Sequence, residues 1–241
     1  MKLGSITGKW SCMTIVISVL LIAPISSVLA APSIIFTNVC RYGEVNCNAS
    51  GKVTGVNYAN YYVALYIQVD EGWWTKPTLA SPQCPIASDG TFSCDITTGG
   101  CDRYATAVRA LLMPKNIKPT ICPPCEPPPQ NPSSVASTVR YRPYPRIFAF
   151  SGYKWRVKQA PDCKLSPGPN YFSALPSDVW VDDKGLHLRI RKVLDKWYSS
   201  EVILQQSLGY GTYIFHTNSR VDIILPMSHS PEPANLLGNP C

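Results

Sequence analysis

Asn60-Tyr61-Tyr62-Val63-Ala64-Leu65-Tyr66-Ile67-Gln68-Val69 runs for ten residues without glycine or proline, in a chain of 241 residues that carries 23 prolines and 15 glycines. β-Branched and aromatic side chains dominate it, which is the composition of a strand. Turn signals follow: Ser88-Asp89-Gly90-Thr91 offers glycine where a positive φ is needed, and Thr98-Gly99-Gly100 offers another turn. Between them Thr91-Phe92-Ser93-Cys94-Asp95-Ile96 reads as strand. Tyr104 to Leu112 has the alanines of a helix, yet its alternation and turn spacing favour strand. Residues 33–113 therefore read as a small β-sandwich. The density of proline and glycine leaves no room for long helices, so the fold class is all-β.

Charged residues make up only 15% of the chain. That argues against a charge-laced helical bundle and against a nucleic-acid binder with a dense basic face. Lys2 and Lys9 precede an apolar run from Met13 to Leu21, and Val28-Leu29-Ala30 ends the segment with small residues at 28 and 30. This is the pattern of a signal peptide spanning residues 1–30 and cleaved after Ala30. Pro24 and Ser26-Ser27 cut the run short of a membrane span. The mature protein is expected to be secreted and free of the membrane. Cleavage lowers the net charge from +7 to +5, since two lysines and no acids are lost. That surplus reads as scattered and as an aid to solubility.

Nine cysteines follow the leader, an odd number. Cys40, Cys47, Cys84, Cys94, Cys101, Cys122, Cys125 and Cys163 are the disulfide candidates, with Cys241 left over. Cys40 is expected to pair with Cys47 across a short loop. A bridge is expected among Cys84, Cys94 and Cys101, with Cys84 to Cys94 favoured because the Asp89-Gly90 turn lies between them. Cys122-Pro123-Pro124-Cys125 has the spacing of half a zinc site, but His187, His216 and His229 are remote in sequence, and its proline tract does not suit a redox helix. It is read as a structural disulfide, and neither a metal nor a cofactor is expected. Asn48-Ala49-Ser50 is an N-glycosylation sequon, expected in an exposed loop.

Residues 114–145 read as a linker. Six prolines between Pro123 and Pro132 impose an extended path, and Ser133 to Thr138 reads as a solvated spacer. Strands resume from Arg146. Leu186-His187-Leu188-Arg189-Ile190-Arg191 alternates apolar and basic residues, and Gly209 to Phe215 opens a further strand. From Leu225 to Pro233, three prolines in nine residues exclude a central strand.

The second segment carries a family's motifs in order: Phe150-Ser151-Gly152-Tyr153-Lys154-Trp155-Arg156-Val157, then Gly168-Pro169-Asn170-Tyr171-Phe172-Ser173. Val179-Trp180-Val181-Asp182-Asp183-Lys184-Gly185-Leu186-His187-Leu188, Ser200-Glu201-Val202-Ile203 and Gly209-Tyr210-Gly211-Thr212-Tyr213 continue them. Over residues 147–224 it resembles the N-terminal half of family 16 glycoside hydrolases, the laminarinase and licheninase group. The resemblance implies an incomplete lectin-like (concanavalin-type) jelly-roll at 146–241 whose concave face binds a β-glucan or another cell-wall polysaccharide. Gly72-Trp73-Trp74-Thr75-Lys76-Pro77 and Thr97-Thr98-Gly99-Gly100 resemble the accessory β-sandwich that precedes some such domains.

Retaining hydrolysis needs two carboxyl groups about 5–5.5 Å apart. The family carries them on one strand as Glu-x-Asp-x-(x)-Glu, after the Gly-Tyr-Gly segment, where alternate residues share a face. Here the only acid after Asp222 is Glu232, between two prolines, so no catalytic residue is assigned. Asp182-Asp183 and Glu201 lack the motif. Carbohydrate contacts are expected from Asn170, Tyr210, Trp197 and Trp74, and Trp73-Trp74 should place one indole inward and one outward. The expected function is that of a β-glucanase-like protein without catalytic carboxylates. The alternatives are a truncated member of an active family and an extracellular interaction module. Residues 33–113 are expected to fold alone, and 146–241 to be loose.

Overall fold

The computed structural model describes residues 30–217. Residues 1–29 of the expected signal peptide, Asp222, His229, Glu232, the Leu225–Pro233 stretch and Cys241 lie outside the described residues. Seventeen strands and two short 3-10 turns make up the regular structure, so the described chain is all-β.

The first layer contains β1 (Ser33–Asn38) and β2 (Asn48–Thr54). After a turn at Tyr58–Asn60 come β3 (Tyr61–Val69), β4 (Gly72–Lys76), β5 (Cys84–Pro85) and β6 (Thr91–Asp95). A turn at Asp102–Tyr104 leads to β7 (Ala107–Pro114), and β8 is Ala136–Tyr141. One sheet has the order β1-β2-β6, and the facing sheet runs β4-β3-β7-β8 with β5 beside β3. Their inner faces meet in one core: Ile34, Ala49, Val53 and Phe92 from the first, Val63, Leu65, Ile67, Val108, Ala110 and Leu112 from the second. The arrangement is sandwich-like. Gly51 sits under Phe92, and a Cβ there would lie 2.4 Å from the ring and 2.1 Å from the Ile35 carbonyl oxygen, so only glycine fits.

β3 is buried on both faces. Its second face, Tyr62, Ala64 and Tyr66, needs its own cover, and the segment expected to be a linker supplies it. Cys122 is buried against that face with Trp73 and Met113. Tyr62 donates its hydroxyl to the Ile117 carbonyl at 2.8 Å, and Tyr66 to that of Thr120 at 2.8 Å. Burial pushes the Tyr66 phenol up to about 12. Proline has no N–H to leave unsatisfied, so a proline tract covers an apolar sheet face at low cost. Residues 136–141, expected within the linker, are strand β8, paired with β7 from Leu112↔Ala136 to Ala107↔Tyr141.

The remaining strands are β9 (Ile147–Phe150), β10 (Tyr153–Val157), β11 (Ala160–Leu165), β12 (Asn170–Phe172) and β13 (Val179–Asp182). They continue with β14 (Gly185–Leu188), β15 (Arg191–Val193), β16 (Lys196–Ser199) and β17 (Val202–Leu204). They form the sheets β17-β10-β9 and β11-β12-β16-β15 and the hairpin β13-β14. The single strand expected at Leu186–Arg191 is interrupted: the Arg189 amide donates to the Asp178 carbonyl at 2.8 Å and turns the chain between β14 and β15. Gly209–Phe215, expected to be a strand, has no ladder partner among the described residues, and Tyr210, Ile214 and Phe215 are exposed.

This second group does not stand apart from the first. Ala160, Leu165 and Phe172 belong to the same core as Ile34 and Leu65. Tyr42 donates its hydroxyl to the Gln159 carbonyl at 2.6 Å, and Arg103 pairs with Asp162. A disulfide joins Cys101 to Cys163. The expectation that 33–113 stands alone beside a loose remainder is therefore corrected, because β11 and β12 complete the first core. Cys40–Cys47, Cys84–Cys94 and Cys122–Cys125 are also paired. Asn48 opens β2 instead of lying in a loop, with its side chain exposed.

Candidate glycan-binding groove

β4 lies at the margin of its sheet, beside β3. Alternation along it buries Trp73 and turns Trp74 outward, with Trp74 37% exposed. Two residues on, Lys76 is buried and forms an ion pair with Asp102. Thr98 accepts from Lys76 Nζ at 3.1 Å and donates to the Pro77 carbonyl at 2.6 Å, while the Gly99 amide donates to Asp102 at 3.0 Å. The Thr98–Gly100 turn is thereby locked beside Trp74. Across from it, β11 contributes Lys164 and Leu165, and a groove of about 480 Å³ forms between them.

Lys164 continues the surface outward. Its ammonium stands 5.5 Å from the Tyr171 ring centroid, and Lys196 stands 5.0 Å from the same ring. Tyr171 lies opposite Tyr198 in the parallel β12–β16 pair, with ring centroids 5.8 Å apart. Arg191 stands 5.8 Å from the Tyr198 ring and is held by Asp178, whose side chain is fully buried, at 2.7 Å. An exposed indole, a polar lock beneath it and a row of cation-bearing tyrosines thus share one surface. A larger hollow of about 520 Å³ over β2 and β6 is lined by neither tryptophan nor carboxylate.

Of the four carbohydrate contacts expected from the sequence, the groove takes in Trp74 alone. Asn170 closes the β11–β12 turn, donating its amide to the Pro167 carbonyl at 2.6 Å. Trp197 is 59% exposed on β16 opposite Lys192, and alternation sets it on the face away from Tyr198. Tyr210 is fully exposed in the irregular stretch after β17. Lys196-Trp197-Tyr198 reads in the sequence as a cation joined to aromatics, suited either to a glycan or to a hairpin tip, whereas Lys164 is not singled out there and Tyr171 stands only within the family motif. A count by segment marks them: residues 30–135 hold seven basic and seven acidic residues, whereas 136–217 hold twelve basic and six acidic. The charge surplus is segregated, and not scattered as expected.

One carboxylate pair does come together. Lys158 Nζ lies 3.2 Å from Asp70 and 3.5 Å from Glu201. Burial, the largest influence, raises the Glu201 carboxyl above its ordinary value, opposed by Lys158. The lysine sits against both acids, and the Ser166 amide takes the second oxygen of Asp70. Both carboxylates thus neutralise a buried cation that bridges the β3–β4 turn, the β10–β11 turn and the approach to β17. That is a structural staple, and a substrate would have to displace the lysine to reach them. Trp180 and His187 stack on the β13–β14 hairpin with centroids 4.4 Å apart, and Asp182 accepts from the His187 ring at 2.8 Å. Among the described residues no cluster of His, Cys, Asp and Glu is arranged to hold a metal ion.

No family model, no curated protein and no solved structure matches this chain. Among the described residues no helix is long and apolar enough to cross a membrane, and the four disulfides are compatible with an extracellular location.

Proposed function

We propose that the protein is secreted and holds a cell-wall polysaccharide, β-glucan in the first instance, without hydrolysing it. In this reading the β9–β17 region is a partial jelly-roll of the β-glucanase kind, in keeping with the motifs between Phe150 and Tyr213. The observation that carries the reading is the groove beside Trp74. An indole face takes the C–H face of a pyranose by apolar contact, while fixed polar groups at its edge orient the hydroxyls. Thr98, Lys164 and the Lys76–Asp102 pair stand at that edge. Against catalysis, the Asp70–Glu201 pair is occupied by Lys158.

The test is affinity electrophoresis of the full chain through gels containing laminarin, with W74A as the control. Retardation that Trp74→Ala removes, with no reducing sugar released, supports the reading. Equal mobility with and without laminarin overturns it, and release of reducing sugar overturns its non-hydrolytic part.

A further inference from the structure

We propose that the outer face of the β11-β12-β16-β15 sheet binds a carboxylated polysaccharide, a polyuronate chain, through Lys164 and Lys196 beside Tyr171. This goes beyond the neutral-glucan reading, and its choice of a sugar polyanion rests on that reading.

The two ammonium groups share one ring. Their separation is therefore at most 10.5 Å, the sum of their distances to its centroid. Two ammonium groups within that reach can be met together by carboxylates repeated along one polysaccharide chain. The tyrosine ring engages one side of each ammonium, which leaves the remaining N–H donors turned to solvent. Both lysines are exposed, and neither has a carboxylate partner among the described residues. Holding each long side chain against a ring lowers the entropy lost when an anion arrives.

The acids nearby are already engaged. Asp162 is taken by Arg103, and Asp178 by Arg191 and Ser173. Asp195, in the β15–β16 turn, adjoins the face without pairing to either lysine. The surrounding region, 136–217, carries six more basic than acidic residues, which draws a polyanion toward it.

The arginines nearby are engaged. An arginine fork grips carboxylate or phosphate with two parallel bonds, whereas a lysine meets either as a point charge. Arg191 is committed to Asp178, and Arg146 donates to the carbonyls of Ala174, Leu175 and Val179. Arg142 donates to those of Cys40, Arg41 and Arg103. What remains on the face is lysine and tyrosine: two point charges with phenol donors, continuous through Lys164 with the groove beside Trp74. That continuity with a groove suited to a pyranose favours a uronate chain over a phosphate backbone.

The experiment is pull-down of the full protein on alginate beads, with laminarin gel retardation run in parallel and a duplex DNA competitor. The variants are K164E/K196E and the milder K164Q/K196Q. Retention on alginate that weakens about tenfold in the Glu variant, less in the Gln variant, and falls as salt rises is the expected result. Laminarin retardation should not change in K196E alone, whose site lies outside the lining of the Trp74 groove, while retention of that variant on alginate weakens; this separates the two sites. No retention of the wild type, or equal retention of both variants, overturns the proposal. Preferential displacement by DNA at matched charge overturns the ligand class.

Discussion

Replacing Cys101 and Cys163 by serine should lower stability without abolishing the fold. The two residues are 62 positions apart, and the bridge closes that loop in the unfolded chain. Loop-closure entropy for this length amounts to about 4 kcal/mol at 25 °C, an upper figure because unfolded chains are compact. Both cysteines are half-buried, so serine removes little packing. The contacts that join the halves persist: Leu165 and Phe172 in the shared core, Tyr42 on Gln159, and Lys158 on Asp70. In urea, with a slope of about 2 kcal/mol/M, the midpoint should fall by roughly 2 M while the transition stays single. Urea unfolding followed by tryptophan fluorescence and circular dichroism measures both quantities. An unchanged midpoint, or two separate transitions in the wild type, would refute the reasoning, since either means that β9–β17 unfolds independently of β1–β8.

Three further outcomes follow from named side chains. Burial holds the Glu201 proton above the ordinary 4.5, so the folded state binds it more tightly than the unfolded one; stability should fall as pH rises through that interval, and E201Q should flatten the fall, as read by thermal melts at stepped pH. At Asp178 burial acts upward, but hydrogen bonds from Ser173 and Arg191 outweigh it and the carboxyl lies below its ordinary value. Its stabilisation is present above the unfolded value and lost as pH falls through the folded one. D178N should therefore cost about 2–3 kcal/mol at neutral pH and much less in acid, measured by denaturation at both. Gly51→Val should push Phe92 aside and destabilise by about 3 kcal/mol or more, seen as a lowered melting temperature or loss of soluble protein.

The Tyr61–Val69 run was legible because a strand buried on both faces carries β-branched and aromatic residues at odd and even positions alike. The same alternation held the unread clue to its cover: Tyr62 and Tyr66 each need a hydroxyl partner, which the Pro-rich segment provides. Proline content reads as spacer by composition, whereas the covering role depends on which surface lies opposite. Gly209–Phe215 has strand-like residues, but a strand exists only where a neighbour completes its ladder, and that is not a local property. Trp74 emerged from a doublet on an alternating strand. Lys164, Tyr171 and Lys196 come from three separate segments, and only the parallel β12–β16 pairing and the β11–β12 turn bring them together.

The most direct test of the account is calorimetric titration of the intact protein with a laminarin oligosaccharide, repeated with W74A and followed by assay of the mixture for new reducing ends. The account predicts saturable binding by the wild type, loss of that binding in W74A, and no new ends. Binding that survives unchanged in W74A, or no heat of binding at all, would contradict it.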